Sequence, residues 1–299
     1  QYFPENRVTT LRNELNSDRN ASESVYAAYA MGGLQPGRLG ILAGFRVEET
    51  HVEGTGNFQF ISPEERARRA AWVGTVTEEE NLRRTRVEFG NRRTNRSDYR
   101  NVFPGVHFKY DLADSLQARL SYSTGIGRPN FGTIIPNDSV NDTTQRFVSN
   151  NTSLRPQFAD NFDATIEYYF KPAGLLSAGV FLKEISDFIV ATDAGIIGTG
   201  PNNGFNGDYA GYTLSTQLNG GAARIRGLEV AYQQQFTSLP GALRGLGAYA
   251  NYTWLETIGD YGSLGATLRG SEVPGFIPRS GNIGLSYSYR GWMLRAQLN

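Results

Sequence analysis

The residue types that catalyse reactions or bind metals are sparse in this sequence. His51 and His107 are the only histidines, and they do not follow the HxxxH or HExxH spacing of zinc sites. The chain has no cysteine, which excludes thiolate-bound metals and disulfides. Carboxylates are numerous, but no pair stands out as the acid and nucleophile of a glycosidase. We therefore predict no catalytic site, no metal site and no cofactor.

Arginine is concentrated between residues 62 and 96, with glutamate interleaved. The arginines are Arg66, Arg68, Arg69, Arg83, Arg84, Arg86, Arg92, Arg93 and Arg96, and the glutamates are Glu64, Glu65, Glu78, Glu79, Glu80 and Glu88. A purely basic patch would suggest nucleic acid. Mixed signs, in a chain of zero formal charge, predict a solvated segment with internal ion pairs and no nucleic-acid partner. Contact of these arginines with phosphate groups of a binding partner is the alternative.

Two further local patterns concern the connecting segments. Ser62-Pro63-Glu64-Glu65 predicts the N-terminus of a short helix, because it places a capping serine before a proline and a capping-box glutamate. Aromatic residues in the connections could stack on a sugar or a chelate, or could pack within the loops. These candidate substrate-binding residues are Phe131, Phe205, Tyr209, Tyr212 and Tyr261.

Alternation of side chains is the main structural pattern. From Leu116 to Ile126 one face is largely apolar and the other is polar. This run covers about ten residues, the length that a tilted strand needs to cross a bilayer. The pattern recurs in residues 41–48, 106–111, 162–170, 228–233, 246–254 and 283–289. No apolar run approaches the ~18 residues of a membrane helix. We predict about ten membrane strands.

Charged residues lie on the polar face of these strands. They are Arg46, Glu48, Lys109, Arg119, Asp163, Glu167 and Glu229. Turning Arg or Lys toward lipid at mid-bilayer costs ~2–4 kcal/mol, so we expect these charges to face the lumen of a barrel. Their expected role is pairing across the wall.

The connections sort by length. Residues 35–38, 112–115, 171–174 and 289–291 are short turns, some with Pro or Gly, whereas 53–97, 128–155, 191–222 and 256–279 are long and polar. Short turns on one side and long loops on the other are typical of outer-membrane barrels. The predicted fold is all-β: an antiparallel transmembrane β-barrel with short periplasmic turns and long extracellular loops.

Several segments together resemble the TonB-dependent outer-membrane receptors. The segments, in order, are Ala27–Ala30, Leu42–Glu48, Val102–Tyr110, Leu120–Phe131, Asn151–Pro156, Glu167–Phe170, Gly179–Ile189 and Arg226–Glu229. The resemblance implies a barrel of 22 strands plugged by an N-terminal domain, with which the lumen-facing charges could also pair. No plug, no TonB-contacting box and no terminal aromatic strand is found within the chain. We therefore expect residues 1–299 to be a fragment of the barrel domain.

The resemblance also implies a function. We expect active uptake of a scarce nutrient, a carbohydrate or a metal chelate such as a siderophore, with the motif set closest to carbohydrate-associated receptors. The implied partners are the TonB complex, acting through the plug region, outer-membrane lipid with lipopolysaccharide, and the nutrient ligand. Lipopolysaccharide phosphates are the groups that the arginine-rich segment could contact. The implied location is the outer membrane of a Gram-negative bacterium. A passive porin-type channel and, more distantly, a soluble all-β domain are the alternatives.

Overall fold

A computed structural model describes residues 5–171, 173–260, 273 and 275–299 of the chain. The strands are β1 Asn20–Leu34, β2 Leu39–Asn57, β3 Arg92–Ala113, β4 Leu116–Gly127, β5 Asp138–Asn141, β6 Arg146–Ser149, β7 Gln157–Phe170, β8 Gly174–Ser186, β9 Ile189–Ile196, β10 Thr213–Asn219, β11 Ala222–Gln235, β12 Leu246–Asp260, β13 Arg279–Tyr289 and β14 Trp292–Leu298. Ten of them form one antiparallel sheet in the order β1-β2-β3-β4-β7-β8-β11-β12-β13-β14. We call this sheet the wall. It confirms the predicted all-β barrel architecture and its ten strands.

The helices are not part of the wall; they precede it or lie in the connections between strands. They are α1 Arg7–Ser17, α2 Pro63–Ala70, α3 Glu78–Phe89, α4 Phe131–Ile134 and a 3₁₀ helix at Gly241–Gly245. The predicted start of α2 is confirmed, because the Ser62 hydroxyl accepts a hydrogen bond from the backbone N–H of Glu65. None of the helices in the described part of the chain has the length and apolar character needed to cross a membrane.

The wall separates apolar from polar side chains by residue parity. Leu120 lies opposite Phe108 on one neighbouring strand and Ala164 on the other, so the apolar sets of adjacent strands share one face. On that face Leu120 is 57% exposed and Leu285 is 59% exposed. These side chains are not buried between stacked sheets, as they would be in a soluble sandwich. We call this the outer face.

The residues on the outer face change from apolar to charged at one height along the strands. Apolar residues occupy it on β2 from Leu39 to Val47, with Val102 opposite Val47. The next pair on that face is Glu49 and Arg100, which form an ion pair at 2.9 Å. Nine residues of strand, at ~3.4 Å each and a tilt of ~40°, cross about 23 Å, close to the ~25 Å apolar band of outer-membrane barrels. Val47 therefore marks the edge of the apolar band nearest the long loops.

The opposite, inner face is the one on which a long loop folds back. Thr50 and Val52 of β2 are buried there. An added Cβ on Gly54 would lie 3.1 Å from the side chain of Ile135, and one on Gly56 would overlap the backbone of the neighbouring Pro136. Glycine at these two positions lets the segment that follows α4 pack directly on the strand.

The connections differ from the prediction in two respects. The first long loop shortens to residues 58–91, because β2 and β3 continue beyond the apolar band as a ladder of polar pairs such as Glu53 with Arg96, at 2.7 Å. The 3₁₀ helix lies in a ten-residue connection between β11 and β12 that was not predicted. The predicted turn at residues 289–291 is a two-residue hairpin in which Arg290 (φ +48°) and Gly291 (φ +86°) both have positive φ.

Substitution of Gly227 tests the packing of the wall. A Cβ at Gly227 would overlap the backbone oxygen of Trp254 and lie 2.6 Å from the Phe181 ring, whereas one at Gly125 would meet no atom within 4 Å. We expect Gly227→Ala to destabilise the folded protein by about 1–3 kcal/mol through overpacking, and Gly125→Ala to leave stability nearly unchanged. Urea unfolding in lipid vesicles measures both. Equal stability of the two variants would contradict the described packing.

Candidate functional site

Three long connections fold together at the loop end of the wall. They span residues 58–91, 128–156 and 187–221, and we call them the loop cap. Within it β5, β6, β10 and β9 form a four-stranded sheet in that order. The pair β6–β10 is parallel and joins the second connection to the third.

The core of the loop cap is aromatic. Phe147 on β6 is fully buried. Its ring lies 4.6 Å from that of Phe205 and 4.9 Å from that of Tyr209. Tyr212 lies 5.6 Å from Tyr209, and its hydroxyl donates a hydrogen bond of 3.0 Å to the Asp142 carboxylate. Burial raises the pKa of the Tyr209 phenol above its usual range.

Three of the five predicted aromatic residues thus lie in one cluster: Phe205 and Tyr209 contact Phe147, and Tyr212 contacts Tyr209. Phe131 lies apart, at the start of α4, and is 42% exposed. It borders a narrow crevice together with Tyr99 and Arg128. Tyr261 lies outside the described residues.

The arginine-rich segment forms a helical hairpin, α2–α3, held by buried carboxylates. Glu80 accepts two hydrogen bonds from Arg68, at 2.7 and 2.8 Å, two from Arg83, at 3.0 and 3.3 Å, and one from Arg84 at 2.8 Å. Glu65 pairs with Arg83 and, at 3.0 Å, with Arg69. The predicted internal ion pairs are confirmed. Hydrogen bonds from Arg68 and Arg83 hold the pKa of Glu80 far below its usual range.

Polar contacts fasten the loops to one another. Arg66 of the hairpin forms an ion pair with Asp208 of the third connection. The Asn151 side chain donates to the backbone oxygen of Gln217 at 2.9 Å. Asn219 accepts a hydrogen bond from the backbone N–H of Arg155 and donates one to its backbone oxygen, both at 2.8 Å. All three connections therefore belong to one linked unit.

A charge network lies on the inner face beneath the loop cap. Arg46 donates to the Glu48 carboxylate at 2.7 Å. Arg128, just beyond the end of β4, donates to the other Glu48 oxygen at 2.6 Å and lies 3.3 Å from the Glu23 carboxylate. The network links β1, β2 and the second connection. Arg46 and Glu48 are among the charges predicted for this face, whereas nothing in the sequence assigns Arg128 or Glu23 to a site.

A second group lies nearer the short turns. Arg119 forms an ion pair with Glu167 at 3.4 Å, and the Tyr169 hydroxyl donates to the same carboxylate at 2.7 Å. Lys109 pairs with Asp111 at 3.1 Å.

The remaining predicted charges, Asp163 and Glu229, form fewer polar contacts. Asp163 accepts a hydrogen bond of 3.3 Å from Ser121. Among the described residues Glu229 forms no ion pair. All seven predicted charges share the inner face by register.

The inner face also forms an open groove of about 650 Å³, lined in part by His107, Lys109, Arg119 and Asp163. Such a groove can bind a polar ligand or the surface of another domain. His51 lies on the outer face, where it hydrogen-bonds Asp98 at 2.7 Å. In the described part of the chain, no three His, Asp or Glu side chains converge as metal ligands would.

A meandering wall with an apolar outer face, a charged inner face and a loop cap is the architecture of an outer-membrane barrel. The family profile described as TonB dependent receptor-like, beta-barrel, matches residues 1–299. The chain belongs to the TonB-dependent receptor family, whose members are receptors and transporters of the Gram-negative outer membrane. No curated protein sequence matches the chain.

Solved structures of the same fold share little sequence with the chain. The ferric yersiniabactin uptake receptor FyuA from Yersinia pestis has a TM-score of 0.59 at 13% identity, over 93% of this chain and 34% of that one. The ferric-catecholate import receptor Fiu from E. coli K12 has a TM-score of 0.57 at 16% identity, over 90% and 32%. The Serratia marcescens hemophore receptor HasR has a TM-score of 0.54 at 12% identity, over 90% and 42%. The chain therefore spans less than half the length of these receptors.

Glu80→Gln tests the hairpin. The amide lacks the negative charge and replaces one acceptor oxygen by a donor, which weakens the bonds from Arg68, Arg83 and Arg84. We therefore expect trypsin to cleave residues 63–89 several-fold faster. Glu79→Gln is the matched control, because Glu79 is exposed and forms no ion pair among the described residues. The pKa of Glu80 is lower in the folded protein than in the unfolded chain. Its contribution to the stability of the hairpin is therefore complete above the unfolded pKa of ~4.3 and is lost as pH falls below it. Equal cleavage of the two variants would contradict the described pairing.

Proposed function

We propose that the protein takes up a scarce nutrient across the outer membrane of a Gram-negative bacterium, with energy supplied by the TonB complex. The observation that carries this proposal is the contrast between the faces of the wall, apolar outside and charged inside, beneath a linked loop cap. Residues 1–299 would form part of a longer barrel. The TonB complex would act through a plug region outside these residues.

The nutrient belongs to one of two classes, carbohydrates or metal chelates. The names of FyuA, Fiu and HasR point to ferric chelates and haem for those proteins, which supports a chelate. The sequence motifs resemble carbohydrate-associated receptors, which supports a sugar. In either case the ligand would contact the loop cap and the upper inner face. The proposed contacts are Phe131, Phe205, Tyr209, Tyr212 and Tyr261.

The proposed contacts differ in how far their side chains are exposed to a ligand. Phe131 is the aromatic whose ring is most open to a ligand among the described candidates, and it stands beside Arg128 of the inner-face network. A ring beside a guanidinium can bind either a planar anionic chelate or a sugar face. Phe205 and Tyr209 would reach the ligand through the edge of the aromatic core. The charges on the inner wall would pair with the plug, and lipopolysaccharide would surround the outer face.

Uptake by a strain that lacks the gene tests the proposal. We expect loss of saturable uptake of ferric chelates or of oligosaccharides, restored by the intact gene. An uncoupler of the proton gradient should abolish the restored uptake, because TonB-driven transport depends on that gradient. A passive porin would give uptake that is insensitive to the uncoupler, and a strain with no defect on any ligand would contradict both assignments.

A further inference from the structure

The outer face of the wall contains a groove. Its volume is about 790 Å³, and it crosses β3, β4, β7, β8, β11 and β12. Outward-pointing apolar side chains form most of its floor. They include Val106, Phe108, Leu120, Phe162, Val180 and Leu182. Leu120 and Val180 are more than half exposed. A floor of this composition suits a hydrocarbon chain.

Two arginines and a tryptophan border the groove at its loop end. Arg224 donates from Nε to a Glu184 oxygen at 2.8 Å. Arg226 donates from Nε and Nη2 to one Glu256 oxygen at 3.0 and 2.8 Å. The Nη1 groups of both arginines form no hydrogen bond with any residue that the structure describes. Both side chains are about half exposed, 53% and 54%, so each guanidinium retains N–H donors for a further anion.

We call Arg224, Arg226 and Trp254 the rim of the groove. The rim lies at the edge of the apolar band. On β8 the outer-face sequence changes from Leu182 to Glu184, and on β12 it changes from Trp254 to Glu256. This is the same change that occurs between Val47 and Glu49 on β2. Indole rings prefer the boundary between hydrocarbon and head groups. Lipid phosphates lie at this level, and guanidinium groups bind phosphate with paired, charge-assisted hydrogen bonds.

We propose that this groove binds one molecule of lipid A, with a phosphate on Arg224 and Arg226 and an acyl chain over Leu120 and Val180. The inference rests on the outer-membrane location in the proposed function. The sequence instead predicts lipopolysaccharide contact in the arginine-rich segment. There, the side chains of Arg68, Arg69, Arg83 and Arg84 are only 18–41% exposed, so they are less available to lipid than the rim arginines.

The outer face provides a matched control. Arg96 and Arg100 on β3 form ion pairs with Glu53 and Glu49 at 2.7 and 2.9 Å, much as the rim arginines do with their glutamates. They lie beyond the apolar band on the same face, but they do not border the groove. The variant pair Arg96→Gln/Arg100→Gln therefore removes the same charge at a similar level without altering the groove. Because Arg96 belongs to the arginine-rich segment, the pair also tests lipid contact there.

Native mass spectrometry of the protein expressed from its complete gene, purified in mild detergent and titrated with lipid A, tests the inference. We expect wild type to retain one lipid A. We expect Arg224→Gln/Arg226→Gln to bind it at least about tenfold more weakly, because both charge-assisted contacts with the phosphate are lost. Arg96→Gln/Arg100→Gln should bind as wild type does, and lipid A without phosphates should bind weakly to all three proteins.

Other results would overturn the inference. Equal weakening in both double variants would show a general effect of surface charge, and no weakening in either would exclude the rim. Equal displacement by phosphatidylglycerol would show a site for any anionic lipid. The proposed function is tested separately by the uptake assay, so loss of lipid binding with intact uptake would reject the groove alone. Far-UV circular dichroism and heat-modified electrophoretic mobility confirm that each variant is folded.

Discussion

Hydrocarbon on one face and water or protein on the other is the constraint on which the rest of this structure depends. A strand in the bilayer must satisfy its backbone groups through its neighbours, so the wall is a continuous antiparallel ladder. The side-chain period of two then assigns every residue to one face. Leu120 and Leu285 point outward, whereas Arg119 and Glu167 point inward. A shift of register by one residue would reverse this arrangement along a whole strand.

The same constraint explains why the strands do not stop at the membrane. Beyond Val47 the outer face needs no apolar residues, and cross-strand ion pairs such as Glu49 with Arg100 continue the ladder. The extended strands carry the loop cap, whose second connection packs on Gly54 and Gly56 of the inner face. The cap is thus built on the wall itself. Its links between loops place Arg128 against β1 and β2.

Features that depend on neighbouring residues could be predicted from the sequence. The alternation of side chains along a strand assigns Leu120 and Arg119 to opposite faces, and the start of α2 follows from the four residues Ser62–Glu65. Features that depend on distant pairing could not be predicted. The sheet within the loop cap requires Arg146 to meet Thr213, far along the chain. Only the fold shows that Phe205 and Tyr209 surround a buried Phe147, because an aromatic loop residue has the same composition signal in a core and in a ligand site. Helix α1 was also not predicted.

Nitroxide scanning from residue 116 to residue 126 tests the assignment of the two faces most directly. Residues 1–299 contain no cysteine, so a single cysteine introduced along β4 can be labelled without labelling any other residue of this range. With the protein in lipid vesicles, we expect labels at Ala118, Leu120 and Tyr122 to collide with oxygen dissolved in the bilayer. Labels at Arg119 and Ser121 should instead collide with a water-soluble nickel complex. Accessibility without a two-residue period would contradict the assignment of this wall to a membrane.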